Sequence, residues 1–394
     1  MNARLRAFPN AHKPVHYDEE MDVYVVSSHE AARRVLTDSA FSSDRVDNLG
    51  LLARLGNFEE LPSLLSAMLQ LFMDGPSHDR LRVTVARSFA PKRVNEMRPR
   101  IRAIVDAALD GVEDLPEFDV VADLAYPVTV GIIAELLDIG VGGAQVLLGF
   151  ASRVIAIMEL RPTDQQLLDA GEAVKNCSTF LLPILAERRA NPGDDLISTL
   201  VSLEIDGEPM PMEEMLTIVV LILIAGHEAP ANLIANGVLE LLDHPDQLRR
   251  MREDPELVKS AVEEILRMDS PVNYLSRTAT EDVVLAGQPI PEGAQVVLDL
   301  AAANRDPSRY EDPGRFDILR PDPGHISFGG GVHYCIGRAL GRAEAEETLH
   351  RLFERFPDLT LADEELTRRE SATFYALTRL PVRPGVKEGA WTPR

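Results

Sequence analysis

The sequence predicts a single, mainly α-helical domain with a minor β portion, in which a helical bundle with one long central helix carries small antiparallel sheets. Amphipathic helical patterns fill residues 77–190, and residues 210–242 form one long apolar pattern interrupted by Pro230. At 1.5 Å per residue, the second pattern predicts a helix of about 50 Å that runs through the interior. Strand-like chemistry is confined to short stretches such as residues 283–300. No linker rich in Pro, Gly and Ser divides residues 1–394, so we expect one domain.

The other elements follow from local start and stop signals. Ser28 is a suitable N-cap for a helix that ends near residue 36. The expected breaks within the first helical region are Pro91, Gly111, Pro127 and Gly142. The other expected elements are a strand over residues 21–27, helices over 255–268 and 338–353, a final hairpin over 372–384 and a loop-rich stretch over 42–74.

Composition and charge exclude several classes of function. Of the 394 residues, 45% are apolar and 26% are charged, which is typical of a soluble globular protein. The formal net charge of -23 argues against a general affinity for nucleic acid or for anionic membranes. The longest apolar run, residues 215–225, is far shorter than the roughly 20 residues that cross a bilayer. We therefore expect a soluble, cytoplasmic protein that binds neither nucleic acid nor membrane.

The cysteines point to one special thiol. Cys177 and Cys335 lie in unlike contexts, so we expect no disulfide framework. Residues 328–337 read Phe-Gly-Gly-Gly-Val-His-Tyr-Cys-Ile-Gly, and a predicted helix follows directly. The glycines let the backbone approach a flat ligand, the helix start favours a thiolate, and Phe328 can shield the sulfur. A lone thiolate suits haem iron, whose porphyrin supplies the in-plane ligands, whereas a structural cysteine beside a glycine turn does not explain the fixed spacing.

This segment resembles the haem-binding loop of the cytochrome P450 superfamily, and the whole arrangement resembles its soluble bacterial class. The resemblance extends over nearly the whole chain. It implies the single-domain P450 fold, haem b as cofactor and Cys335 as the axial ligand of the iron. It also implies cofactor contacts from Phe328, Gly331 and Gly337.

Two further segments resemble structural motifs of this family. Glu-Ile-Leu-Arg at residues 264–267 resembles the helical E-x-x-R motif, and residues 313–316 resemble the P-x-R-F segment. The resemblance implies that Glu264, Arg267 and Arg315 form an ion cluster that braces the cysteine loop. Glu264 and Arg267 are three residues apart and share a helix face, where a guanidinium can bind a carboxylate through two hydrogen bonds.

Four basic residues match the positions with which the family holds the haem propionates. His78 and Arg82 resemble the H-x-x-x-R pattern and share a helix face because they are four residues apart. Arg277 and His333 match the other two positions. Each residue alone has another interpretation, such as a helix cap for His78 or a solvated charge for Arg82, and the set of four favours the cofactor role.

The long helix carries Ala-Gly-His-Glu-Ala-Pro at residues 225–230, which resembles the A-G-x-[DE]-T segment of the family. There the acid and the threonine supply protons for oxygen activation, so the resemblance implies a catalytic role for Glu228. Ala229 replaces the threonine and removes its hydroxyl. Pro230 has no amide to bond the carbonyl of Gly226, and our hypothesis is that this carbonyl holds a water or a substrate hydroxyl. The alternatives are proton delivery from bulk water and a structural, ion-paired Glu228.

The resemblance implies a monooxygenase that uses O2. No G-x-G-x-x-G nucleotide module follows a strand, so electrons are expected from a ferredoxin and its reductase. An acidic ferredoxin fits a basic patch, with solvated scattered charges as the alternative; the patch residues are Arg80, Lys92, Arg93, Arg338 and Arg342. Expected substrate contacts are residues 48–71, 221–225, 272–275 and 374–375.

The expected reaction is hydroxylation or epoxidation of a mid-sized, partly apolar intermediate of secondary-metabolite, antibiotic-type biosynthesis. The substrate arrives free or bound to a carrier protein. Oxidative coupling or ring formation is an alternative, because it needs no oxygen insertion and depends less on the missing threonine. A haem-binding protein without turnover is a further alternative, against which the acid at residue 228 and the bracing cluster argue.

Overall fold

Helices dominate the computed structural model, which describes residues 13–44, 74–159, 162–205, 208–362, 365–369, 371 and 373–385. The helices are α1 (His29–Thr37), α2 (Pro76–Ala86), α3 (Pro91–Val112), α4 (Tyr126–Leu137), α5 (Gly140–Val154), α6 (Asp164–Ala190), α7 (Leu196–Val201), α8 (Met212–Asp243), α9 (Pro245–Glu253), α10 (Val258–Met268), α11 (Leu300–Ala303) and α12 (Arg338–Arg355). The strands are β1 (Val15–Asp18), β2 (Val23–Val26), β3 (Phe41–Ser42), β4 (Phe118–Asp119), β5 (Glu204–Ile205), β6 (Glu208–Pro209), β7 (Tyr274–Ala279), β8 (Val283–Leu285), β9 (Gln288–Ile290), β10 (Gln295–Asp299), β11 (Thr360–Leu361) and β12 (Pro381–Arg383). The prediction of a mainly α fold with minor β structure is confirmed.

Helix α8 is the predicted central helix, and Pro230 lies inside it without ending it. It packs against α4, α5 and α12, and its apolar side chains form much of the main core. Two apolar helical stretches, Val120–Leu137 and Glu214–Asp243, are long and apolar enough to span a membrane, but more than half of each is buried in the protein. Such burial is typical of core helices.

The principal sheet lies beside this helical core. Its five strands have the order β1-β2-β10-β7-β3, and all its pairs are antiparallel except β2 with β10. Helix α1 covers the sheet through Val35 and Leu36, which share a buried apolar cluster with Val296 and Leu298. The mixed pairing corrects the expectation of purely antiparallel sheets. Strand β7, which carries Arg277, lies between β10 and β3, at an interior position of the largest sheet among the described residues.

The C-terminal stretch is not the simple hairpin that the pattern predicts. Strand β12 instead pairs with both β11 and β4, which lie far apart in sequence. Upstream of it, single bridges join Arg368 to Leu377 and Val272 to Phe374. The segment is therefore held by partners from several regions, which local patterning cannot reveal.

Two of the four expected helix breaks are correct. Pro91 lies in the first turn of α3, where proline's missing amide costs nothing, and α3 ends one residue after Gly111. Pro127 is not a break, because a π-helical segment, Val120–Ala125, runs directly into α4. Gly142 lies inside α5, because a glycine within a helix weakens it without ending it. The actual interruption before α5 is Asp138, whose φ of 50° makes it a left-handed C-cap.

Candidate active site

The cysteine loop is a tight turn that ends at Cys335. The Cys335 amide donates to the carbonyl of Phe328 at 2.9 Å, and this hydrogen bond closes the loop. Gly331 has a φ of 63°, and a Cβ there would lie 2.2 Å from the carbonyl oxygen of Leu36 on α1. Glycine is required at this position for both reasons. Gly337, in contrast, has a φ of -78°, and no described atom lies within 4 Å of a Cβ added to it.

The electrostatics of Cys335 differ from the sequence expectation. Burial raises the pKa of the thiol, and the amide of Gly337 opposes this effect by hydrogen bonding to the sulfur. Positive charges on Arg338, Arg82 and Arg342 also favour the thiolate, but together these groups do not overcome burial. We had expected the helix start to favour a thiolate, but its effect alone does not outweigh burial. A bound metal cation would, because a coordinating thiol loses its proton.

The centre of the bracing cluster, the pair of Arg267 and Glu264, is fully buried. Arg267 and Glu264 are 0% and 1% exposed and form two parallel hydrogen bonds of 2.8 Å. Arg320 completes the cluster, with its Nε 3.2 Å and 3.3 Å from the two carboxylate oxygens. The prediction of Arg315 was wrong, because its side chain is 60% exposed and pairs with Asp317. Only the carbonyl of Arg315 takes part, as an acceptor for Arg267 and Arg320.

A second ion cluster, which the sequence did not reveal, ties α10 to both ends of the cysteine loop. Glu263 accepts hydrogen bonds from Arg342 at 2.5 Å and 2.9 Å and lies 3.2 Å from the Nε2 of His325. The guanidinium of Arg342 also lies 4.5 Å from the ring centroid of Phe328. Burial alone would raise the pKa of Glu263, but the hydrogen bonds from Arg342 and His325 outweigh it and lower the pKa to about 2.

The four predicted propionate ligands gather around the same loop. The rings of His78 and His333 are stacked with centroids 4.1 Å apart, and Arg82 donates to the carbonyl of Tyr334. Arg277 is 8% exposed, and burial lowers its pKa to about 10. Among the described residues, its guanidinium hydrogen-bonds only the carbonyl of Ser276. A buried guanidinium without a paired carboxylate fits a haem propionate, so the residues present suit the cofactor.

Helix α8 presents an accessible strip on an otherwise buried surface. The strip consists of Leu221, Ala225, Gly226, Ala229 and Pro230, which are half-buried or exposed while their neighbours are buried. The spacing of four residues places 221, 225 and 229 on one helix face. Of the expected substrate contacts, Val272 is half-buried and Phe374 is buried against it, while residues 48–71 lie outside the described residues.

Glu228 is turned into the protein beside this strip. It is 1% exposed, and its carboxylate lies 2.5 Å from an Nη of Arg369. The hydroxyl of Tyr126 donates to it at 3.3 Å, and His227 lies 3.6 Å away. Burial and the nearby carboxylate raise the pKa of Tyr126 to about 12, so the phenol remains a hydrogen-bond donor. Neither Arg369 nor Tyr126 was expected, because no local pattern connects them with Glu228.

Most of the predicted basic patch is neutralised by acidic partners. Arg342 pairs with Glu263, Arg80 with Glu214 and Arg93 with Glu96. Arg338 lies over the ring of Tyr334 and, like Lys92, has no ion-pair partner among the described residues. The patch is therefore smaller than the five-residue surface that the sequence predicts.

A helical fold, a lone cysteine before a helix and buried cations around it define a haem-thiolate protein. The cytochrome P450 family model matches residues 148–383. The Streptomyces venezuelae monooxygenase PikC is 39% identical over 387 residues, which cover 97% of this chain and 89% of PikC. The 6-deoxyerythronolide B hydroxylase of Saccharopolyspora erythraea is 37% identical over 371 residues, covering 92% and 90%.

The solved structures agree with these relatives. P450BioI, crystallised with an acyl carrier protein that carries hexadec-9Z-enoic acid, aligns with a TM-score of 0.88 and 33% identity, covering 95% of this chain and 96% of that one. This chain belongs to the cytochrome P450 superfamily. It is a P450 monooxygenase, an oxidoreductase that binds haem b and uses O2 with external redox partners.

Proposed function

We propose that this P450 hydroxylates or epoxidises a mid-sized, partly apolar intermediate of secondary-metabolite biosynthesis in the cytoplasm. The observation that carries the proposal is a buried, charge-paired Glu228 next to the accessible strip of α8. The strip offers apolar contact surface through Leu221 and Ala225. A buried acid beside it suits an enzyme that must supply protons, and not a passive haem carrier. The named reaction of the 6-deoxyerythronolide B hydroxylase supports the substrate class.

The cofactor roles are assigned to the residues of the cysteine loop and its neighbours. Cys335 binds the iron, and Phe328, Gly331 and Gly337 form the loop around it. The guanidinium of Arg277, which hydrogen-bonds no carboxylate among the described residues, binds one propionate. The remaining propionate contacts come from His78, Arg82 and His333. When bound, haem b supplies the activation of O2 that no amino-acid side chain provides.

The proton route departs from the usual relay at Ala229. Glu228 is held by Arg369, which is 39% exposed and so connects the buried acid with solvent. Pro230 donates no hydrogen bond to the carbonyl of Gly226, and Gly226 lies on the accessible strip. We assign this carbonyl the binding of a water or a substrate hydroxyl in place of the threonine side chain. An Ala229→Thr variant whose product yield per electron is unchanged for several substrates would contradict this assignment.

Electrons come from a ferredoxin and its reductase. The docking surface includes Arg338 and Lys92, the members of the predicted patch without an ion-pair partner among the described residues. Val83 and Val332 add exposed apolar contacts near the cysteine loop, with 63% and 60% exposure. An acidic iron-sulfur protein would be attracted to these charges despite the net charge of -23.

The test begins with the substrate. Candidate metabolites, free and bound to acyl carrier protein, are screened for a shift of the haem absorbance band in the purified holoenzyme. A binding compound is then turned over under ¹⁸O2 with a ferredoxin and its reductase. One ¹⁸O atom in the product supports oxygen insertion. A coupled or cyclised product without ¹⁸O supports the alternative of oxidative coupling, which the missing hydroxyl at Ala229 favours, and electron consumption without product contradicts both.

A further inference from the structure

Asp74 connects three separate parts of the cofactor site. One carboxylate oxygen accepts hydrogen bonds from the hydroxyl of Ser42 at 2.5 Å and from the amide of Ser43 at 2.8 Å. The other accepts from the Nε2 of His333 at 2.6 Å. Ser42 ends β3, Asp74 precedes α2, and His333 belongs to the cysteine loop. Both oxygens of one side chain are therefore used to join a strand, a helix and the loop.

The carboxylate is ionised where it binds these groups. Burial alone would raise the pKa of Asp74, but hydrogen bonds from Ser42, His333 and Ser43 outweigh it and lower the pKa. Asp74 also interacts electrostatically with Arg277, whose positive charge it favours. The negative charge of Asp74 therefore lies close to His333 and Arg277, two of the residues to which we assign the propionates. Hydrogen bonds to a charged acceptor are stronger than those between neutral groups.

Helix α2 contacts the two residues that directly precede Cys335. Arg82 binds the carbonyl of Tyr334, and His78 stacks on the ring of His333. Asp74, at the start of the same helix, binds that ring from its Nε2 side. Ring orientation at residue 333 is therefore fixed by stacking and by a charged hydrogen bond together. Of these three side chains, Asp74 also contacts β3, through its hydrogen bond from Ser42.

We propose that Asp74 is a positioning residue of the haem site, which holds His333 and the cysteine loop against α2 and β3. The inference rests on the proposed cofactor roles of Cys335 and His333. Removing the carboxylate frees the loop from the strand and leaves the ring of His333 without its acceptor. Partners that orient a metal-binding group typically change metal affinity by about 10- to 100-fold when they are removed.

The test measures haem release from the ferric holoenzyme to excess apomyoglobin, followed by absorbance. We expect Asp74→Ala to release haem about tenfold or more faster than wild type. Asp74→Asn keeps one acceptor oxygen but loses the charge and the second acceptor, so it should recover only part of the loss. Ser42→Ala, which removes one donor to Asp74, should release haem faster than wild type and more slowly than Asp74→Ala. The control is Glu172→Ala, which removes an exposed carboxylate on α6 and should leave the rate unchanged.

The outcomes separate this inference from the proposed function. Holoenzyme that never shows the carbon monoxide spectrum of a haem-thiolate protein contradicts the proposed cofactor roles. If that spectrum is normal and Asp74→Ala and Asp74→Asn both release haem at the wild-type rate, only the inference is overturned. Equal acceleration by Glu172→Ala also overturns it, because the loss of a carboxylate outside the haem site would then have the same effect. A resonance Raman change in propionate modes that appears in Asp74→Ala and not in Glu172→Ala supports it.

Discussion

The cysteine-loop region and the α8 region both bury a glutamate, but they satisfy it differently. Glu264 is enclosed by Arg267 and Arg320, which are themselves 0% and 12% exposed on their side chains. Glu228 depends on Arg369, whose side chain is 39% exposed. A charge paired with buried partners is fixed, whereas a charge paired with an accessible partner can exchange it for water. The comparison indicates a rigid support for the cysteine loop and an adjustable acid beside the accessible strip of α8.

Gly331→Ala should show the strongest effect on the rigid region. The new Cβ would lie 2.2 Å from the carbonyl oxygen of Leu36 at a φ of 63°, so the loop must shift away from α1. We expect a loss of about 3 kcal/mol in the free energy of unfolding, measured by urea denaturation. Gly337→Ala is the matched control, because the described residues leave room for its Cβ. Equal losses in the two haem-free variants would contradict this account of the loop.

Arg320→Ala tests which arginine completes the bracing cluster. It removes a partner of the buried Glu264, and we expect a loss of about 2 kcal/mol in the free energy of unfolding. Arg315→Ala should cost less than about 0.5 kcal/mol, because that side chain pairs with Asp317 at the surface. The measurement is the urea midpoint of both variants. A larger loss of stability in Arg315→Ala than in Arg320→Ala would show that Arg315 belongs to the cluster.

Glu263→Gln tests the second ion cluster through pH. The pKa of Glu263 in the folded protein is about 2 against an ordinary 4.5, so folding favours the ionised form. Its stabilising contribution is fully present well above pH 4.5 and is lost as the pH falls towards 2. We expect the stability difference between wild type and Glu263→Gln to shrink by about 1 kcal/mol from pH 6 to pH 4. A pH-independent difference would show that the carboxylate charge is not what stabilises the loop.

Arg369→Gln tests the adjustable side and should change stability least. Because the guanidinium is 39% exposed, we expect a loss below about 1 kcal/mol in the free energy of unfolding. The larger effect should be a lower yield of product per electron, since Glu228 loses the cation that orients it. Arg379→Gln is the control, an exposed arginine of the same segment with no ion-pair partner among the described residues. Unchanged product yield in Arg369→Gln would make the ion pair purely structural.

The sequence predicts what is periodic or contiguous. Helix α8 begins and ends within two residues of the expected bounds, because an apolar pattern of that length has one interpretation. Strand β12 lies within the expected final hairpin, but its pairing was not anticipated, since its partners Phe118 and Thr360 come from distant segments. Tertiary pairing, and not the local sequence pattern, decides which strands the residues of β12 join.

The same limit applies to the site. Cys335 and its glycines stand in one contiguous motif, so their placement could be predicted. Arg315 and Arg320 are five residues apart in an irregular segment, and only the folded backbone decides which guanidinium turns towards Glu264. Arg369 meets Glu228 through a long-range contact and leaves no trace in local spacing. Charged side chains that act across distant segments are therefore the part that sequence reasoning missed.

The carbon monoxide difference spectrum of the reduced holoenzyme tests the central claim most directly. Wild type and Cys177→Ala, which alters the other, buried cysteine, should give the spectrum of a thiolate-bound haem. Cys335→Ser should lose that spectrum even if some haem stays bound, because its oxygen replaces the sulfur ligand. An unchanged thiolate spectrum in Cys335→Ser would contradict the assignment of Cys335 as the iron ligand.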